Sequence, residues 1–455
     1  MEAAARAVAL QPLDPAAHFR LGMALVRAGA AHEALHSLER AATLAGPQPV
    51  AYVAWMNLGN VRSQMLGDVQ GALPYLERAI QLDPTQPQPY FNLGHELQRL
   101  DRYCEAAQRY REAAATAPAW HEPALALAST TQRLMSWADW PLTQRASRTL
   151  LREQGASVFE QPFLATFEQP FAQEGRVQLL VDHPDDDEAL ARFCRSSRRP
   201  HLAVVSSAYG GADREALFWR RCAPVQMCWF DWPSSTGQSW IDYYASDRKS
   251  IPPITAAAAA FSERLVLLPH SWYVTGHSEW ARLPTDSSKP SLLEPWSDAS
   301  RRKGFVFTNR NLPQKCDPET ADGWASIMRR TASASSSLWL YASPEEARYY
   351  QHAELLSRGV HANRIKSTGK IPRAAHIAMM SQAQLWLDTV NYNAHGTGSD
   401  VIWGALPPVI LSGNKVASKS FASMACAAAA CMTSVKSRKE YDDIAVSLAL
   451  ANNPT

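Results

Sequence analysis

The stretch Leu387-Asp388-Thr389-Val390-Asn391-Tyr392-Asn393-Ala394-His395-Gly396-Thr397-Gly398-Ser399-Asp400-Val401-Ile402-Trp403-Gly404 changes pattern twice. A buried strand ends at Leu387, a turn of small and polar residues follows, and an apolar helix begins near Thr397. Strand, turn and helix in that order form half of a parallel-sheet crossover unit. Gly396, Thr397 and Gly398 fall at the helix start, where backbone N–H groups have no intrahelical partner. Those groups, at the positive end of the helix dipole, suit a pyrophosphate. The glycine spacing differs from the dinucleotide fingerprint, so an ordinary strand-helix connection is the competing reading.

Working outward, short apolar runs alternate with helical patterns from His201 onward. Strands are expected at 202–206, 225–230, 265–268, 305–307, 338–341, 385–387 and 409–411. Helices are expected at 318–330, 344–358, 373–382, 397–405 and 419–429. Asp317-Pro318-Glu319 and Ser343-Pro344-Glu345-Glu346 each read as a helix start, with a capping side chain, a first-turn proline and acids. The alternation predicts a parallel sheet with helices on both faces, a fold that binds ligands at the carboxyl ends of its strands.

The N-terminal part repeats. Leu21-Gly22, Leu58-Gly59 and Leu93-Gly94 recur at spacings of 37 and 35 residues, each followed by an Ala-rich amphipathic segment. Asp14-Pro15, Asp83-Pro84 and Ala117-Pro118 punctuate the units. Small residues let two helices approach closely, and proline starts a helix where its missing N–H does no harm. Residues 124–134 read as a fourth unit and 4–15 as the second helix of an earlier one. This resembles the tetratricopeptide repeat.

Forty-five Lys and Arg against 43 Asp and Glu give a net charge of +2, which argues against a dedicated nucleic-acid binder. No apolar run is long enough to span a bilayer, and no signal-peptide pattern opens the chain. The seven cysteines are irregularly spaced and form no CxxC, so no disulfide framework or zinc site is expected. A cytoplasmic or nuclear protein follows. Residues 159–171 form an aromatic, proline-rich connector, and 182–188 an acidic loop.

The order Leu-Asp-Thr, His-x-Thr-Gly-x-Asp-Val and Trp-Gly in the opening stretch resembles the donor-binding motif of the tetratricopeptide-containing O-linked N-acetylglucosamine transferases. Ala223-Pro224-Val225-Gln226, Trp229, Pro233-Ser234-Ser235-Thr236-Gly237, Asp242-Tyr243, Ser262-Glu263-Arg264-Leu265, Leu268-Pro269-His270, Asn309, Lys315-Cys316-Asp317-Pro318, Ala417-Ser418-Lys419 and Glu440-Tyr441-Asp442-Asp443-Ile444-Ala445-Val446 follow the family's order. The resemblance implies a helical solenoid at 1–134, a connector with a remnant of the first catalytic lobe at 135–200, and mainly the second, Rossmann-like lobe of a two-lobed (GT-B-like) glycosyltransferase at 201–455.

By the same resemblance, Lys315 meets the leaving diphosphate, and His395, Gly396 and Thr397 clamp the pyrophosphate. Asp400 accepts hydrogen bonds from the ribose, and His376 stacks near the uracil. Arg373 replaces a lysine beside the ribose, Leu312 stands where many relatives have Gln, and Lys419 stands where Arg is usual. The implied reaction is transfer of N-acetylglucosamine from UDP-GlcNAc to Ser or Thr of intracellular proteins, with inversion, no metal and no cofactor. The acceptor protein would lie in the repeat groove, and the repeats give the chain a route to homo-oligomers. Two alternatives stay open: a catalytically impaired tetratricopeptide scaffold, and a protein O-fucosyltransferase using GDP-fucose.

Overall fold

The computed structural model describes residues 1–46, 48–137, 139, 201–205, 221, 223–229, 235–253, 261–273, 277, 304–380, 382–431 and 434–451. Its contacts divide the chain into two units, Met1–Pro162 and Phe163–Thr455. The connector at 159–171, the acidic loop at 182–188, Pro233-Ser234, Cys194 and Cys222 lie outside the described residues.

Described residues of the first unit form helices α1 (Glu2–Leu10), α2 (Pro15–Arg27), α3 (Ala31–Ala45), α4 (Pro49–Leu66), α5 (Val69–Leu82), α6 (Pro87–Arg99), α7 (Tyr103–Thr116) and α8 (Glu122–Leu134). Asp14 caps α2 by accepting from the Ala16 and Ala17 amides at 2.9 and 3.2 Å, and prolines occupy the first turns of α2, α4, α6 and α8. The Leu-Gly repeats set the helix spacing. A Cβ at Gly22, Gly59 or Gly94 would come within 2.7–2.8 Å of Leu38, Leu76 or Tyr110 on the paired helix. Each pair therefore closes only because one partner lacks a side chain.

The second unit holds two parallel sheets. Strands β1 (Leu202–Val205), β2 (Val225–Cys228), β3 (Tyr243–Asp247) and β4 (Arg264–Leu268) pair in that order. Strands β5 (Val306–Asn309), β6 (Ser337–Tyr341), β7 (Ile365–Thr368), β8 (Leu385–Leu387), β9 (Pro408–Leu411) and β10 (Ser434–Val435) form a sheet in the order β10-β9-β8-β5-β6-β7. The expected strands thus belong to two sheets. β5 is flanked by β6 and β8, which leaves no edge for β4 beside it.

Helices α9 (Pro318–Arg330), α10 (Ala347–Ser357), α11 (Arg373–Met380), α12 (Gly396–Trp403), α13 (Ser420–Ala427) and α14 (Arg438–Ala451) complete the described part of the unit. Asp317 caps α9 through the Thr320 amide at 2.7 Å. The helix expected from Pro344 starts instead at Ala347, because Pro344–Ala347 forms a turn closed by a 3.0 Å backbone bond. The expected absence of disulfides is corrected at one pair. The turn after α13 brings the Cα atoms of Cys426 and Cys431 to 4.1 Å, and the two are bonded. No described helix is long and apolar enough to cross a membrane.

Candidate functional site

In sequence order within its own sheet, β5 to β10 run 3-2-1-4-5-6 across the second sheet. That is the doubly wound order, and its switch point lies between β5 and β8, where ligands bind at the strands' carboxyl ends. The chain leaving β5 and the chain leaving β8 carry five of the seven predicted site residues.

Asn309, the last residue of β5, ties the two strands together by donating Nδ2 to the Leu387 carbonyl at 2.7 Å. Asn311 Nδ2 reaches Asp388 Oδ1 at 3.2 Å and Thr389 Oγ1 at 2.9 Å. A single 3-10 turn, Pro313–Lys315, then carries Lys315 inward. Its Nζ donates to the Asn393 carbonyl at 3.0 Å and stands 4.3 Å from the Tyr392 ring centroid. A cation stacked on a ring face and held by a carbonyl is fixed in position, and an ammonium has three N–H donors with which to meet its surroundings.

After β8, Asp388 organises the turn. It is buried, and its Oδ1 accepts from the Ala394 amide at 3.0 Å and from Trp386 Nε1 at 3.3 Å. Burial pushes its carboxyl up to about 7, against the pull of those donors and of Lys315. Thr389 Oγ1 donates to the Tyr392 carbonyl at 2.5 Å, and Asn393 Nδ2 to the Thr389 carbonyl at 2.7 Å. The loop is thereby braced from inside before α12 begins.

His395 is the N-cap of α12 and offers it no side-chain cap. The first backbone bond of the helix runs from the Ser399 amide to the His395 carbonyl at 3.1 Å, so the amides of Gly396, Thr397 and Gly398 precede the ladder. Gly396 and Thr397 are partly exposed, and Lys315 lies close enough for its charge to depress the His395 imidazole. Burial is the larger cause, and both keep His395 neutral. Its Nε2–H points at the Ala417 carbonyl, 3.4 Å away. Gly398 packs on Phe421, where a Cβ would approach within 2.7 Å.

One turn along α12, Asp400 is buried. His277 Nε2 and Arg373 Nη2 reach its Oδ1 at 2.6 and 3.1 Å, and His376 Nε2 stands 3.8 Å from its Oδ2. Arg373 and His376 come from the first turn of α11. The structure therefore gathers all seven predicted residues into two neighbouring groups on α12. Lys315, His395, Gly396 and Thr397 cluster at its start, and Arg373, His376 and Asp400 a turn later.

Sequence reasoning missed several participants. His277 follows the first sheet and brings that segment onto α12, as do Trp272 and Tyr273, whose rings lie 6.1 and 6.2 Å from that of His395. No motif marks His277, which is 123 residues from Asp400. Arg310 is buried immediately after β5, a position that the carboxyl-end rule singles out. Asp247, at the end of β3, accepts from Ser423 Oγ at 2.7 Å and from the Trp272 amide at 3.0 Å, which ties the first sheet to α13.

Helical repeats, two parallel α/β sheets and an amide-rich helix start with an adjacent ammonium at a topological switch point define a class: a repeat-bearing protein whose second sheet is a doubly wound α/β fold. Comparison with known proteins narrows the class. The family model for glycosyl transferase family 41 matches residues 196–286 and 300–453, and one for the tetratricopeptide repeat matches 52–86. The chain belongs to glycosyl transferase family 41.

It is 30% identical over 286 residues to a protein of Arabidopsis thaliana named "Probable UDP-N-acetylglucosamine--peptide N-acetylglucosaminyltransferase SEC", covering 61% of this chain and 28% of that one. It is 21% identical over 352 residues to the UDP-N-acetylglucosamine--peptide N-acetylglucosaminyltransferase of Caenorhabditis elegans, covering 54% and 30%. The chain thus spans under a third of the length of these curated relatives. A mutant O-GlcNAc transferase of Thermobaculum terrenum shares the fold, with a TM-score of 0.57 at 20% identity over 96% of this chain and 90% of that one.

Proposed function

We propose that this chain binds UDP-N-acetylglucosamine at the β5–β8 switch point and transfers the sugar to Ser or Thr of a protein acceptor. The names of the curated relatives support the substrate, and the arrangement around Lys315 and α12 supports the chemistry. In this reading the diphosphate rests on the amides of Gly396 and Thr397, with Lys315 Nζ beside it. Asp400 and Arg373 hold the ribose, and His376 lies against the base. His395, neutral and buried, shapes the turn and adds no charge that would compete with Lys315.

The acceptor hydroxyl attacks the anomeric carbon from the face opposite the diphosphate, and the configuration inverts. The new C–O bond forms as the old one breaks, the electron pair of the broken bond passes to the β-phosphate, and the hydroxyl's proton passes, directly or through water, to the departing diphosphate. Negative charge therefore grows where Lys315 and the helix amides already point. Such preorganised donors lower the barrier because they need no reorientation in the transition state. The repeats of the first unit hold the acceptor protein along their groove, and the protein acts in the cytoplasm or nucleus.

The observation that carries the proposal is the pairing of a buried ammonium with an uncapped helix start at the switch point. Calorimetric titration with UDP and with GDP, beside transfer of labelled GlcNAc to a Ser/Thr peptide, tests it. Binding of UDP over GDP with label in the peptide is expected. Preference for GDP would move the reading to a fucosyl donor, and UDP binding without transfer would reduce the chain to a nucleotide-binding scaffold.

A further inference from the structure

Arg310 has no role in the reading above, yet it is placed beside that site. It is 4% exposed, and its ring-facing neighbour is Tyr341, 5.7 Å from the guanidinium carbon to the ring centroid. Its Nη1 donates to Thr368 Oγ1 at 2.6 Å, and its Nε lies 3.3 Å from His376 Nδ1. Burying a guanidinium without a carboxylate partner is costly, and the cost shows in its acidity, which burial lowers to about 10. A residue kept at such cost calls for a reason.

Donor chemistry supplies one. A guanidinium has five N–H donors and no acceptor, so in the Arg310–His376 contact Nδ1 of the imidazole must accept. A neutral imidazole that accepts at Nδ1 carries its proton on Nε2. That atom is buried without a hydrogen-bond partner, 3.8 Å from Asp400 Oδ2. The two other described side chains that reach Asp400, His277 and Arg373, bond its Oδ1. One N–H donor and one carboxylate oxygen thus stand side by side, too far apart to bond each other. At 3.8 Å apart, the two are near enough for one atom at hydrogen-bond distance from each to bond both. The group that satisfies both is a hydroxyl, which donates to the carboxylate and accepts from the N–H. A carbonyl or a phosphate oxygen would satisfy only His376.

We propose that Arg310 is a positioning residue that locks His376 as its Nε2–H tautomer, so that His376 and Asp400 together grip one ribose hydroxyl of the nucleotide. The grip rests on the nucleotide reading above; the tautomer lock does not. A site built to bond a hydroxyl rejects the analogue that lacks it, because the pair is then left unsatisfied. His376 in this role reads the sugar edge of the nucleotide, where the sequence motif suggested only stacking on its base.

The lock is tested on the unliganded protein at pH 7 by long-range 15N correlation of the labelled histidines, with His376→Gln identifying the signal. The lock predicts pyridine-type Nδ1 and pyrrole-type Nε2 shifts. The opposite tautomer or an imidazolium overturns it, and this measurement needs no variant of Arg310. The grip is tested by calorimetry with UDP and 2′,3′-dideoxy-UDP on the parent, Arg310→Met and Arg310→Lys. The parent should prefer UDP by about 10-fold or more. Arg310→Met should lose most of that preference, and Arg310→Lys, which keeps a donor, should recover part of it. Equal weakening of both ligands in Arg310→Met, with the preference intact, would mean a merely structural arginine and overturn the grip. A confirmed tautomer in a parent that gives no heat with UDP would sink the nucleotide reading and the hydroxyl's role, leaving only the lock.

Discussion

Replacing Lys315 with Met removes one charge from the candidate site while keeping an unbranched side chain of similar length. Lys315 is 7% exposed, so its field toward a bound diphosphate is poorly screened. A unit charge about 4 Å from a phosphate oxygen, at an effective dielectric near 20, is worth about 4 kcal/mol. The diphosphate gives up hydration on binding, and the α12 amides remain in the variant, so we expect about half of that to be lost. That is about 2 kcal/mol, or roughly 30-fold in affinity.

The folded state feels opposing changes. The Asn393 carbonyl loses its 3.0 Å donor and Tyr392 its cation, each costing about 1–2 kcal/mol, while the desolvation cost of a buried ammonium disappears. Unliganded stability should therefore shift little. The assay is calorimetric titration of parent and Lys315→Met with UDP and with uridine, beside a thermal melt of each without ligand. UDP should weaken about 30-fold and uridine by less than about threefold. A folded variant in which uridine suffers as much as UDP would refute the assignment of Lys315 to the diphosphate.

Gly398→Ala should abolish most UDP binding, because the new Cβ would meet Phe421 at 2.7 Å and push the start of α12 off α13; affinity and melting temperature should fall together. Gly94→Ala should destabilise the repeat unit by about 1–3 kcal/mol through contact with Tyr110, read as a lower urea midpoint, despite the better helix propensity of alanine. Asp388→Asn tests the buried carboxyl. Because folding raises its pKa from 3.8 to about 7, the native state binds this proton more tightly than the unfolded chain does. The carboxyl therefore lowers stability as pH rises from about 4 to 7, by up to about 4 kcal/mol. Urea unfolding of the parent and of Asp388→Asn at pH 5 and pH 8 checks this. The parent should lose ground to the variant at pH 8, and an unchanged difference would count against a carboxyl held protonated by burial.

Much of this architecture could be read from residue pattern alone. All seven expected strands exist, because each is an apolar run bounded by breakers. The three unforeseen strands fail that pattern for different reasons. β3 reads Tyr-Tyr-Ala-Ser-Asp and buries Ser246 and Asp247, whose polarity hides it; Asp247 is satisfied by amides and hydroxyls that only the fold supplies. β7 is an edge strand with one buried residue, Ile365, and β10 has two residues. The division into two sheets was invisible because parallel strands of either sheet look alike in sequence.

For the site, Lys315, His395, Gly396, Thr397 and Asp400 were legible through the family motifs they stand in, since on the residues alone each also reads as an ordinary part of a strand-helix connection. Arg310 and His277 were not. A buried arginine looks like a surface one until its neighbours are known, and His277 approaches Asp400 from a different sheet's segment.

The most direct test is a crystal structure of the chain with UDP. The account predicts diphosphate oxygens within about 3 Å of the Thr397 amide and of Lys315 Nζ, and the ribose against Asp400. Nucleotide density elsewhere, or at the switch point with its phosphates turned away from α12, would contradict it.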